Sequence, residues 1–115
     1  MTREEHVELA ENPNTPPETL AELGRGQDEW VRYWVAQNPS TPISILVKLS
    51  RDQNHHVRYW VAKNPNTPIE TLVELSRDQD YDVREKVALN PKWIRLKEMG
   101  ILDQAILISK YLKIL

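Results

Sequence analysis

Apolar positions come in short clusters at helical spacing, and an Asn-Pro dipeptide interrupts them every 26 residues, at Asn12, Asn38, Asn64 and Asn90. After the first three of these, Leu20 and Leu23, Leu46 and Leu49, Leu72 and Leu75 hold matching places, with Pro17, Ile43 and Ile69 three residues ahead of each pair. Further along, Val31, Val35 and Ala36 recur as Val57, Val61 and Ala62, and again as Val83, Val87 and Ala88. Spacings of three and four mark the buried stripe of an amphipathic helix. The pattern predicts two short helices per period, three times over.

Local signals set the boundaries. Thr15, Thr41 and Thr67 are the expected N-caps of the first helices, with Pro16, Pro42 and Pro68 at the first helical position, where a missing N–H costs nothing. Glu18 and Glu70 stand three residues after the caps, as a capping box requires. Gly24 is expected to end its helix in the left-handed conformation, a place that Ser50 and Ser76 take in later copies. The second helices start near Asp28, Asn54 and Asp80 and must stop before each Asn-Pro, because proline disfavours α conformation in the residue ahead of it. Helices this short are not stable alone in water. The copies must therefore stack and share one core.

This organises the chain as a single repeat domain over residues 1–115. A partial copy (1–11) precedes three full repeats (12–37, 38–63 and 64–89), and a C-terminal cap (90–115) follows. In the cap the pattern decays, and after Gly100 a helix capped by Asp103 carries Ile101, Leu102, Ala105, Ile106, Leu107, Ile108, Tyr111, Leu112, Ile114 and Leu115. It is expected to fold back over Leu72, Leu75, Val83 and Val87, or to dock a partner or a second copy of the chain.

The run "NPxTPxxxLxxL…D…VRxxVAxNP" resembles the leucine-rich repeat variant family, a relative of the HEAT-like α-solenoids, over about residues 5–91. The resemblance implies an all-α, right-handed solenoid in which the Val-Arg segment takes either α or 3₁₀ geometry, and a non-catalytic scaffold that binds other proteins. It also implies an aspartate–arginine pair between repeats, a role open to Arg32, Arg58 and Arg84. Some relatives carry an iron–sulfur domain, which does not carry over to a chain without cysteine.

Columns that change between copies bear on function. Tyr33 and Tyr59 share a column with Glu85, Trp34 and Trp60 with Lys86, and Trp30 with His56 and Asp82. A column that accepts charge is not deeply buried, since an unpaired buried charge costs several kcal/mol. Trp30, Tyr33, Trp34, His56, Tyr59 and Trp60 are therefore the candidate partner-binding stripe, at least half exposed, and Asp82–Lys86 replaces it in the third copy by an i,i+4 ion pair. The competing reading packs the rings between repeats. Arg32, Arg58 and Arg84 read as ties to the caps Asp28, Asn54 and Asp80, to the neighbouring Asn-Pro carbonyls, or to Asp52 and Asp78. The four asparagines read as a ladder bonding backbone between turns.

Composition narrows the chemistry. The chain has no cysteine and a net charge of −2, which removes thiol and cysteine-ligated metal chemistry and any whole-protein pull toward nucleic acid. The adjacent His55 and His56 point about 100° apart on a helix and are a poor metal pair. No phosphate loop or nucleophile motif is present, so no enzyme activity, cofactor or metal is expected. The polar, acidic start does not suit a signal peptide and no apolar run would span a membrane, which reads as a cytoplasmic chain. Residues 1–29 carry a net charge of −6 and residues 90–115 one of +3. The expected function is a protein-binding scaffold. The rivals are a nucleic-acid-binding solenoid, with aromatics stacking bases and arginines holding phosphates, and a small structural subunit that self-associates through residues 101–115.

Overall fold

The computed structural model describes residues 1–114 in backbone and residues 1–111 in side chain. Among them are nine α-helices and no strand: α1 (Arg3–Glu11), α2 (Pro17–Gly24), α3 (Glu29–Gln37), α4 (Ile43–Leu49), α5 (His55–Lys63), α6 (Ile69–Leu75), α7 (Tyr81–Leu89), α8 (Pro91–Glu98) and α9 (Leu102–Ile114). The pairs α2–α3, α4–α5 and α6–α7 repeat, and the second helices stack in order, α1 on α3, α3 on α5 and α5 on α7. The array is elongated, 47 × 28 × 26 Å.

Three expected core columns are buried throughout: Leu20, Leu46 and Leu72; Val31, Val57 and Val83; Val35, Val61 and Val87. In the other two, Leu23 is only partly covered and Ala88 is exposed. The Pro17/Ile43/Ile69 column is not core. Pro17 is exposed, Ile43 is 57% exposed and Ile69 is only partly covered. Ile45, two residues further on, is buried in its place.

Polar ties between units follow the same period. The side-chain amide of Asn38 donates to the Ala10 and Asn12 carbonyls, at 2.8 and 2.9 Å. Asn64 donates in the same way to Ala36 and Asn38, and Asn90 to Ala62 and Asn64. All three are buried, so the bonds replace water that cannot reach these carbonyls. Arg32 bonds Asp52 at 2.6 Å and the Gly26 and Gln27 carbonyls. Arg58 repeats this with Asp78 at 2.8 Å and the carbonyls of Asp52 and Gln53. The carboxylate hydrogen bond raises the Arg32 pKa, over the opposing effect of burial.

Several local expectations change. The buried Thr15, Thr41 and Thr67 do not cap the helices that follow. Their hydroxyls donate backward to the Leu9, Val35 and Val61 carbonyls, at 2.6–2.7 Å, and the prolines occupy the cap positions without a side-chain bond. The capping box lies instead at Thr2 and Glu5. Gly24 keeps helical φ and is buried, and a Cβ there would come within 2.6 Å of Ile45. It is small because the next unit's first helix presses against it. Helices α3, α5 and α7 are α rather than 3₁₀, and only their ends tighten, where Asn38, Asn64 and Asn90 donate back to Val35, Val61 and Val87.

The C-terminal piece holds two helices where one was expected. Asn90 caps α8 directly, and α8 ends at Gly100 (φ +73°), whose amide donates to Lys97 while that of Ile101 donates to Leu96. These are the paired bonds of a Schellman end, which needs a residue at ease with positive φ. α9 starts at Leu102, before Asp103, and packs on α6, whose Leu72 and Leu75 are buried. Leu112, Ile114 and Leu115 lie outside the residues described in side chain.

Candidate functional site

The second helices set the aromatic surface. Trp30, Tyr33 and Trp34 lie on α3, and Tyr59 and Trp60 lie one unit along on α5. Because α5 stacks on α3, the ring of Trp60 reaches Tyr33, with centroids 5.9 Å apart at 85°. Tyr33 also meets Trp30 at 5.5 Å and Trp34 at 5.4 Å, and Tyr59 meets Trp60 at 5.3 Å, all edge to face. Five rings from two units form one connected chain with Tyr33 at its branch point. Each edge-to-face contact is worth about 0.5–1.5 kcal/mol beyond area burial and holds the rings in place.

The sixth expected member stands apart. His56 is exposed, its ring lies 4.1 Å from His55, and no ring contact joins it to the five among the described residues. Exposure is lower than the column argument requires. Trp30 is 45% exposed, whereas Tyr33, Trp34, Tyr59 and Trp60 are partly buried and pack against the core cluster. The four partly buried rings pack against the core and still keep part of their surface exposed.

The charged third copy also has a physical answer. Lys86 makes no ion pair with Asp82. Its ammonium lies 3.9 Å from Glu85 and 5.5 Å from the Tyr59 ring centroid. Tyr33 meets Trp60 one unit on, and Tyr59 meets Lys86 at the same 27-residue offset. The ladder continues with a cation in place of an indole. A second lysine, Lys63, sits 4.7 Å over the Trp60 ring. Beside Trp34, a recess of about 150 Å³ is lined by Glu11, Trp34, Gln37, Asn38 and Pro39. The Gln37 amide nitrogen is buried and lacks a hydrogen-bond partner among the described residues.

Lys63, Gln37 and Glu11 do not stand out in the columns, and Lys86 stands out there with Asp82 as its partner instead of Tyr59. For Lys63 the signal is its place three residues after Trp60 on one helix. For Lys86 it is the 27-residue offset to Tyr59, visible only once the stacking order is known.

Among the described residues no group of three or more His, Asp or Glu could hold a metal ion, and no helix is long and apolar enough to cross a membrane. Arg32 and Arg58 are committed to carboxylates and carbonyls.

The leucine rich repeat variant family model matches residues 55–80, one period of the array that includes His56, Tyr59 and Trp60. No curated protein and no solved structure matches the chain.

Proposed function

We propose that this array of leucine rich repeat variant units is a non-catalytic scaffold that binds a protein partner on the ring surface of α3 and α5. One observation carries the reading. Five aromatic rings from two units are locked edge to face, incompletely covered, and flanked by Lys63 and Lys86 on one side and the Glu11 recess on the other. Rings held in fixed rotamers lose little entropy on binding, which is why Trp and Tyr anchor interfaces. Cations at one edge and a carboxylate at the other favour a partner segment of matching polarity.

The test is capture of partners from native cell extract by the wild-type chain and by Trp34→Ala/Trp60→Ala. Expected is loss of a specific partner from the double variant, while its thermal midpoint falls by less than that of Leu46→Ala, a core truncation worth about 2–5 kcal/mol. An unchanged set of captured proteins overturns the proposal.

A second reading rests on α9. It buries Ser109, whose hydroxyl has no partner among the described residues, and leaves Leu107, Ile108 and Tyr111 exposed. Self-association through residues 101–115 would cover those side chains. Sedimentation that shows no concentration-dependent mass rejects it. A nucleic-acid reading keeps only Arg84 of its three arginines without a carboxylate among the described residues, since Arg32 and Arg58 are already paired.

A further inference from the structure

Inside the array, each second helix offers one face to the next unit. On α3 and α5 that face includes an arginine and an alanine: Arg32 and Ala36, Arg58 and Ala62. Each alanine is fully buried, and each arginine grips an aspartate twenty residues on, just before the next second helix. On α7 the same positions are Arg84 and Ala88, and both are exposed. Twenty residues after Arg84 stands the exposed Gln104, which has no carboxylate to offer. Among the described residues Arg84 has no ion pair. Its side chain donates to the Asp78 carbonyl and lies 5.7 Å from the Tyr81 ring. Tyr81, Arg84 and Ala88, spaced by three and four, form one strip along the helix. Tyr81 is 66% exposed and the neighbouring Leu89 55%. Among the described residues, neither α8 nor α9 covers this strip.

We propose that the outward face of α7 is a docking site for a helix of another protein that carries an aspartate at its leading end. The array itself supplies the template for what fits. The α6–α7 turn and helix bring Asp78 to Arg58 and cover Ala62. A partner helix in the corresponding place brings a carboxylate to Arg84 and an aliphatic side chain to Ala88. A second copy of the chain fits poorly, because its α1 has Glu5 in the column of Val31, Val57 and Val83, and Glu5 is held in its own capping box with Thr2. The site is separate from the aromatic surface, so the two proposals stand or fall apart.

The probe is a synthetic peptide of residues 76–89, the segment that covers the matching face of α5, held helical by a hydrocarbon staple on its far side. It is titrated into the isotope-labelled full chain and followed by amide chemical shifts. Expected are shifts at Tyr81, Arg84, Ala88 and Leu89, unaffected by Trp34→Ala/Trp60→Ala. Arg84→Glu, checked for an unchanged helical spectrum, should weaken binding by about tenfold or more, and Asp78→Arg in the peptide should restore it. Shifts indifferent to Arg84→Glu, shifts confined to the ring surface, or no shifts at millimolar peptide overturn the proposal. So does concentration-dependent shifting of the same residues without peptide, which would assign the face to a second copy.

Discussion

The two ends of the second-helix stack differ. At the N-terminal end, α1 has Glu5 where the later units have valine, shows Glu4, Glu5, Glu8 and Glu11 to solvent, and ties itself inward through Arg3 to Asp28 at 2.7 Å. At the C-terminal end, α7 keeps the Arg84 and Ala88 of an interior unit, and both are exposed. A solenoid end that meets only water is expected to be polar. The first end meets that requirement. The second keeps exposed an arginine and an alanine that α5 buries, and the docking proposal rests on that difference.

The largest test of this contrast compares arginines. Arg58→Ala leaves Asp78, whose side chain is 9% exposed, without its counter-charge, and should cost about 3 kcal/mol in urea unfolding. Arg84→Ala removes an exposed side chain with one carbonyl contact and should cost less than about 1 kcal/mol. Equal losses would show that the α7 face is not the open equivalent of the α5 face.

A smaller effect separates the asparagines. Asn64→Ala strands two buried carbonyls and should cost about 2 kcal/mol, whereas Asn12→Ala, at an exposed position with one local bond from the Asn14 amide, should be near neutral. The measurement is the shift in unfolding midpoint for each.

The smallest effect lies at the closed end and depends on pH. Desolvation pushes the Asp28 pKa up, but the bonds from the Trp30 and Val31 amides and from Arg3, with the Arg3 charge, outweigh it and hold the carboxyl below its ordinary 3.8. A depressed carboxyl contributes stability above its unfolded pKa and loses it as pH falls through the folded one. The advantage of wild type over Arg3→Ala should therefore be full at neutral pH, at most about 0.5 kcal/mol, and should shrink only below about pH 4. An advantage that instead vanishes on raising the pH to 8 would mean that another group carries it.

What the sequence made legible was whatever repeats in register. Buried valines and leucines and the asparagine ladder follow from comparing copies. The same comparison marks the arginine column as structural but leaves open which of its candidate partners, Asp52 and Asp78 among them, each arginine takes. Side chains that look across units rather than along one helix were misread. Thr15, Thr41 and Thr67 resemble caps because capping is local, yet each hydroxyl reaches back six residues to a preceding helix. Lys86 resembles a partner for Asp82 because the two are four apart, yet it lies toward Tyr59. Gly24 resembles a helix end, and its actual constraint, the approach of Ile45, is invisible until α2 and α4 are packed. The ring surface was legible as a set of columns, but its degree of cover was not, because a column that tolerates a lysine can do so by laying it on a neighbouring ring.

The asparagine ladder has one more implication. Its donors reach back 28 and 26 residues, the arginines reach forward 20, and no bond in either set depends on how many units lie elsewhere. Excising residues 38–63 would bring Asn64 opposite Ala10 and Asn12, hand Asp78 to Arg32, and set Lys86 against Tyr33. Both sets of ties would close again with chemically equivalent partners, whereas losing a single residue would misalign every tie that spans it. Such a molecule changes size in whole quanta, and each quantum removed or added shortens or lengthens its row of rings by one step.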